Sequence, residues 1–159
     1  MKKKPANIAL DATDRRLLNL LQDDCSISNQ ALAQRAHLSA PTCLRRVKRL
    51  VDAGVIERQI AIVGGSGVVA GLTALVEITL DEQAAERMSE FEKRVAGEPA
   101  VQQCYRVSPG PDFVLVLHVA DMPAYHDLVH RLFTAEANVR NVRAFFSVQR
   151  SKFAPKVVL

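Results

Sequence analysis

Apolar and polar positions along the chain follow two different periods. Over residues 11–54 the apolar positions recur at helical spacing. Asp11 stands as a cap before Leu17, Leu18 and Leu21, one face of a first helix that Asp23, Asp24 and Ser26 interrupt. Ser28 caps a second, short helix with Leu32, Ala33 and Ala36 inward, and His37 and Leu38 form a tight joint. Ser39 caps a third helix; Pro41 falls in its first turn, where a missing N–H costs little, and Gly54 ends it. Three short helices with tight joints predict a helix-turn-helix.

Beyond Gly54 the period shortens. VIERQIAIV places Ile56, Arg58, Ile60 and Ile62 on alternate positions, the mark of a strand or hairpin arm, here a wing. GGSG at residues 64–67 is a flexible break. From Gly71 the pattern reads strand, helix, strand, strand, helix, strand. LTALVEITL is the first strand. Asp81 opens a helix running to about Gly97, with Met88, Phe91 and Val95 on one side. Residues 101–107 and 113–119 flank a PGP turn. Asp121 caps a helix with Pro123 in its first turn and Tyr125, Leu128, Val129 and Leu132 inward; residues 139–148 are the last strand. This order predicts a ferredoxin-like βαββαβ sheet with both helices on one face. The fold class is therefore α+β: a basic arm (1–9), a winged helix-turn-helix (10–63), a linker (64–70) and the βαββαβ domain (71–159). The bare sheet face needs a cover, and a second copy of the same sheet supplies one, so a dimer is expected.

The third helix carries candidate chemistry. At 100° per residue Leu44, Val47, Leu50 and Val51 fall within roughly 120°, and Thr42, Arg45, Arg46 and Arg49 fall opposite, with Lys48 flanking. No acidic residue lies between Ser39 and Val51. A merely solvated face mixes charge signs, whereas unopposed guanidinium groups suit phosphates or guanine edges. The small polar turn at residues 39–42 allows close approach to a major-groove floor. Ser39, Thr42, Arg45, Arg46, Lys48 and Arg49, with Arg58 in the wing, are the candidate contacts to double-stranded DNA.

Charge agrees in its distribution. Residues 1–63 carry 11 Lys+Arg and 6 Asp+Glu, a balance of +5, and residues 64–159 carry 10 and 11, a balance of −1. Such asymmetry points to a polyanion partner for the first part. Lys2, Lys3 and Lys4 either touch DNA backbone or form a solubilising tail. Their run resembles the start of a signal peptide, but Asp11 and Asp14 follow too soon for an apolar core. The apolar run FVLVL is far short of the roughly 20 residues of a transmembrane helix. A cytoplasmic, nucleoid-associated location with no membrane partner is expected. Cys25, Cys43 and Cys104 form no CxxC pair and read as reduced thiols. No metal, cofactor or catalytic residue is expected; the GGSG stretch lacks the Lys-Ser/Thr helix start of a phosphate loop.

The stretches LDATDRRLLNLLQDD, ISNQALAQRAHLS and APTCLRRVKRLVDAGVI resemble the N-terminal half of Lrp/AsnC (feast/famine) transcription regulators. The second half, ending NVRNVRAFFSVQRSKF, resembles that family's ACT-like ligand-sensing domain. The resemblance implies dimers joined through the sheets, assembly toward octamers, and an amino acid or related metabolite as effector. It also implies an effector loop at VSPGPDF. Asp112 matches the family's Asp, but Pro109 stands where a Gly is usual, with Gly110 next, and proline removes a backbone donor. Val142 and Ala144 stand where many amino-acid binders have threonines. Ser108, Pro109, Gly110, Asp112, Val142 and Ala144 are the candidate effector residues, and their chemistry allows a more apolar ligand or none.

Two other readings are open. An architectural DNA-binding protein without effector would show steep salt dependence and little discrimination. Some proteins of this two-part fold decarboxylate a tetrapyrrole; His126 and His130 have metal-ligand spacing, but the basic third helix argues against that role.

Overall fold

The computed structural model describes residues 8–64, 70–134 and 138–159. The basic arm at residues 2–4 and most of the predicted linker lie outside them. The chain divides into two compact units: residues to Ile62 together with Phe153–Leu159, and Val63–Lys152. The sequence pattern carried the second domain to residue 159, whereas Phe153–Leu159 groups with the first unit.

In the first unit, helix α1 (Ala12–Asp23) opens on a capping box, with the Asp11 side chain accepting from the Asp14 N–H and Asp14 reaching back to Asp11. Helix α2 (Asn29–Ala36) is capped by Ser28, whose hydroxyl accepts from the Ala31 N–H at 3.2 Å. His37 ends α2 in the left-handed region at φ 57°. That reversal lets the Leu38 N–H reach the Ala33 carbonyl at 2.8 Å and tightens the joint to helix α3 (Ala40–Asp52). Gly54, at φ 72°, follows α3.

Two expectations for α3 change. Ser39 occupies the cap position, but its hydroxyl donates to Thr42 Oγ1 at 2.9 Å and makes no backbone cap. The buried stripe is Cys43 and Leu50 with Val47 beside them, while Leu44 and Val51 are 59% and 49% exposed. Residues 43, 47 and 50 keep i, i+4, i+7 spacing, and a unit of three short helices covers only this narrow strip. Cys43, with Val47 packed against it, joins Leu17, Leu32, Ala33 and Ala36 in one core. Burial pushes the Cys43 thiol pKa up.

The expected wing strand does not form: residues 57–63 take no regular secondary structure and no strand pairing among the described residues. Ile60 and Ile62 are exposed. Alternation supplies a strand's faces but not its ladder partner. At the other end of the chain the Gln22 amide brackets Val157, donating to its carbonyl at 3.1 Å and accepting from its N–H at 2.8 Å. Lys156 Nζ pairs with Asp23 at 2.6 Å.

The second unit holds β1 (Leu72–Leu80), α4 (Ala85–Ala96), β2 (Val101–Arg106), β3 (Phe113–Val119), α5 (Met122–Val129), a π-helical turn (His130–Thr134) and β4 (Val139–Phe146). All neighbours in the sheet are antiparallel, in the order β2-β3-β1-β4. Helix α4 begins at Ala85, later than expected: Ala84 holds the cap position, and Asp81 stays at the end of β1, where its N–H donates to the Asn138 carbonyl at 3.0 Å. Gly71 precedes β1 at φ +139°, and a Cβ there would meet the Val119 carbonyl oxygen at 2.4 Å.

Alternation sorts the sheet faces. Ala74, Val76, Ile78 and Leu80 of β1 and Phe113, Leu115 and Leu117 of β3 are buried against Met88, Phe91 and Val95 of α4 and Tyr125 and Leu128 of α5. Phe91 stacks on Phe113 at 4.6 Å between centroids and lies 6.3 Å from Phe133. The opposite face presents Leu75, Tyr105 and Phe145, all exposed, with half-buried Val114 and Val116 between them.

Candidate nucleic-acid interface and ligand loop

The outer side of α3 is organised by α1. Asp14 is fully buried, and an isolated buried carboxylate is costly unless paired and hydrogen-bonded. Its Oδ1 accepts from Arg46 Nη1 at 2.9 Å, and its Oδ2 accepts from Arg49 Nη2 at 2.5 Å and from the Asp11 N–H at 3.2 Å. The same Arg46 Nη1 donates to Asp11 Oδ2 at 2.7 Å. That contact, before any other, lowers the Asp11 pKa and raises that of Arg46.

The picture of α3 as a cationic face with no anion is therefore corrected. Its own sequence has none, but two carboxylates from α1 reach two of its arginines. Arg46 keeps 28% of its side chain exposed and Arg49 keeps 47%. Arg45 and Lys48 are exposed and make no ion pair among the described residues. Ser39 is exposed and Thr42 half-buried beside it. Arg58 lies exposed in the irregular segment after α3. Asp11 and Asp14 are the members that sequence reasoning missed. Their three-residue spacing is legible as a capping box, but nothing local signals arginines more than 30 positions away.

The candidate effector residues fall into separate environments. Ser108, Pro109 and Gly110 are exposed in the turn between β2 and β3. Asp112 is buried, and its carboxylate accepts from the Leu80 N–H at 2.7 Å. Its own N–H donates to the Ile78 carbonyl at 2.8 Å, and its carbonyl accepts from the Val107 N–H at 3.1 Å. Asp112 thus pins the turn to the end of β1. Val142 and Ala144 are half-buried and pack against the core below the helices. Ile78 pairs with Phe113 on one side and Val142 on the other, which sets β3 and β4 roughly 10 Å apart there. His126 and His130 are exposed. No group of three metal-ligating side chains occurs among the described residues, and no described helix is long and apolar enough to cross a membrane.

A three-helix unit with a cationic third helix, joined to a βαββαβ sheet unit, is the architecture of a two-part regulator that binds DNA and a small ligand. Comparison with known proteins agrees. Residues 10–57 match the winged helix-turn-helix DNA-binding model, and residues 73–157 match the Lrp/AsnC ligand binding domain. The leucine-responsive regulatory protein of Rhizobium meliloti is 36% identical over 150 residues, covering 94% of this chain and 96% of its own. The DNA-binding transcriptional activator DecR of Escherichia coli K12 is 33% identical over 144 residues, covering 91% and 95%. Among solved structures, a transcriptional regulator of Neisseria meningitidis in complex with L-methionine superimposes with a TM-score of 0.84 at 28% identity, covering 94% and 96%. The chain belongs to the Lrp/AsnC family of transcription regulators.

Proposed function

We propose that this regulator reads DNA with the exposed cations of α3 and that an amino acid or related metabolite changes its DNA affinity or its assembly. The observation that carries the reading is the outer row of α3. Arg45 and Lys48 stand exposed without ion pairs among the described residues, beside Arg46 and Arg49 held by Asp14. Arg45 and Thr42 enter the major groove, Lys48 and Arg58 take backbone phosphates, and Arg46 and Arg49 contribute their remaining N–H groups. The protein regulates transcription rather than catalysing a reaction, and it acts in the cytoplasm at the nucleoid; relatives named as transcription regulators support both points.

The amino-acid effector is supported by the leucine-responsive relatives and by the L-methionine complex. Its site is the exposed turn at Ser108, Pro109 and Gly110, with Asp112 shaping the turn from beneath. A dimer is supported by the exposed Leu75, Tyr105 and Phe145 on the sheet face opposite the helices, with assembly toward an octamer following from the family resemblance.

The test measures fluorescence anisotropy of a labelled operator duplex, with each amino acid and common keto acid added in turn and particle mass recorded by light scattering. Arg45→Ala is expected to weaken binding by about 1–3 kcal/mol as a base contact, or to lower the salt slope by about 1 as a phosphate contact. Unchanged affinity and slope would refute its role. Tight, salt-steep binding that no metabolite alters would replace the sensor with an architectural DNA binder.

A further inference from the structure

The exposed carboxylate of Asp11 sits on the recognition helix's own cation, and this bears on how tightly the protein holds DNA of any sequence. Asp11 Oδ2 lies 2.7 Å from Arg46 Nη1, and the Asp11 side chain is 52% exposed. The two carboxylates on that nitrogen differ in kind. Asp14 has 1% of its side chain exposed and is locked by Arg49 and the Asp11 N–H as well. Among the described side chains Asp11 Oδ2 meets only Arg46, while its Oδ1 caps α1 at the Asp14 N–H, 2.8 Å away. Asp14 is a fixed anchor; Asp11 is a solvent-facing anion beside the surface that meets phosphate.

We infer that Asp11 is a built-in electrostatic brake: it occupies Arg46 as a phosphate would and thereby lowers sequence-independent affinity for nucleic acid. This rests on α3 being the DNA-binding helix. A phosphate arriving at Arg46 must share or displace the Asp11 carboxylate, and the two anions repel. Base-edge contacts elsewhere on α3 do not meet that competitor. The brake therefore weighs most on backbone-driven binding and widens the gap between operator and bulk DNA.

Asp11→Asn tests this, because asparagine caps a helix as well as aspartate does and keeps the α1 start. Binding of the full chain to a short mixed-sequence duplex is measured across a salt series, with the melting temperature recorded for each variant. The expected result is roughly 1.5- to 5-fold tighter binding at low salt, the range that one exposed ion pair commands, and a salt slope steeper by about 0.9. The gain must vanish when Asp11→Asn is placed on an Arg46→Gln background. A gain that persists there would reflect net charge alone and overturn the inference. Unchanged affinity, or weaker binding at an unchanged melting temperature, would also overturn it, the latter making Asp11 a positioning residue. Absence of DNA binding by the unsubstituted chain would instead remove the reading of α3 itself.

Discussion

Asp112→Ala separates a structural clamp from a ligand contact. The change removes the acceptor for the Leu80 N–H, a 2.7 Å bond made where both residues are buried. Leaving that N–H unsatisfied costs about 1–3 kcal/mol, and bonds to charged groups lie in the upper part of the range. A loss of about 2 kcal/mol is the working value. For a unit the size of Val63–Lys152, each kcal/mol moves the melting temperature by roughly 4–8 °C, so the sheet unit should melt about 8–16 °C lower. Asp112→Asn keeps an oxygen at the same place and should recover most of that loss. Thermal unfolding followed by circular dichroism gives the shift. Amide exchange at Leu80 then locates it, because that N–H should exchange faster in the alanine variant and not in the asparagine variant. A melting temperature within about 2 °C of the unsubstituted protein would refute the clamp. So would an asparagine variant as damaged as the alanine one.

Other expectations concern the core and pH. Phe91→Ala removes a ring that is 2% exposed and touches both Phe113 and Phe133, so urea unfolding should show a loss of about 3–5 kcal/mol. Glu98 is held below the usual carboxylate range, chiefly by the Arg131 guanidinium. Its folded pKa is depressed, so its contribution is complete above the unfolded carboxylate pKa and is lost as pH falls through the folded value. Melting curves between neutral pH and the acid range should therefore show a shallower acid decline for Glu98→Gln than for the unsubstituted protein, with the two curves converging at low pH.

What sequence made legible follows from how local each determinant is. The caps at Asp11, Ser28 and Asp121 act within three residues, and the capping bonds form as their spacing predicts. The β1 and β3 strands also announce themselves, because alternation against a helix-covered face decides which residues are buried. Ser39 fits the cap pattern equally well, yet its hydroxyl is drawn to Thr42, a choice between two local partners that composition does not rank. Leu44 looked inward on a helical wheel, but how much of a helix its neighbours cover is a tertiary quantity. The same holds for the candidate site. The cations of α3 could be read directly, whereas the Asp14 anchor joins residues far apart in the chain. The hold of Gln22 on Val157 is further still beyond any local signal. For Asp112, a motif match identified the position, and the bond to Leu80 defined its physical work.

The place of β1 in the sheet also fixes the order in which a growing chain can finish its parts. The helices of the first unit pack through neighbours close in sequence, the kind of contact that forms early and fast. Strand β1 is made soon afterwards but pairs with β3 on one side and β4 on the other, Leu75 meeting Phe145. Until residues 139–146 have been synthesised, β1 carries an open edge lined by unpaired backbone groups, the state in which strands recruit wrong partners. The DNA-binding helices can therefore be assembled while the sheet unit is still an unfinished, adhesive surface. Synthesis of residues 139–146 closes that edge, and Phe153–Leu159, which group with the first unit, follow it.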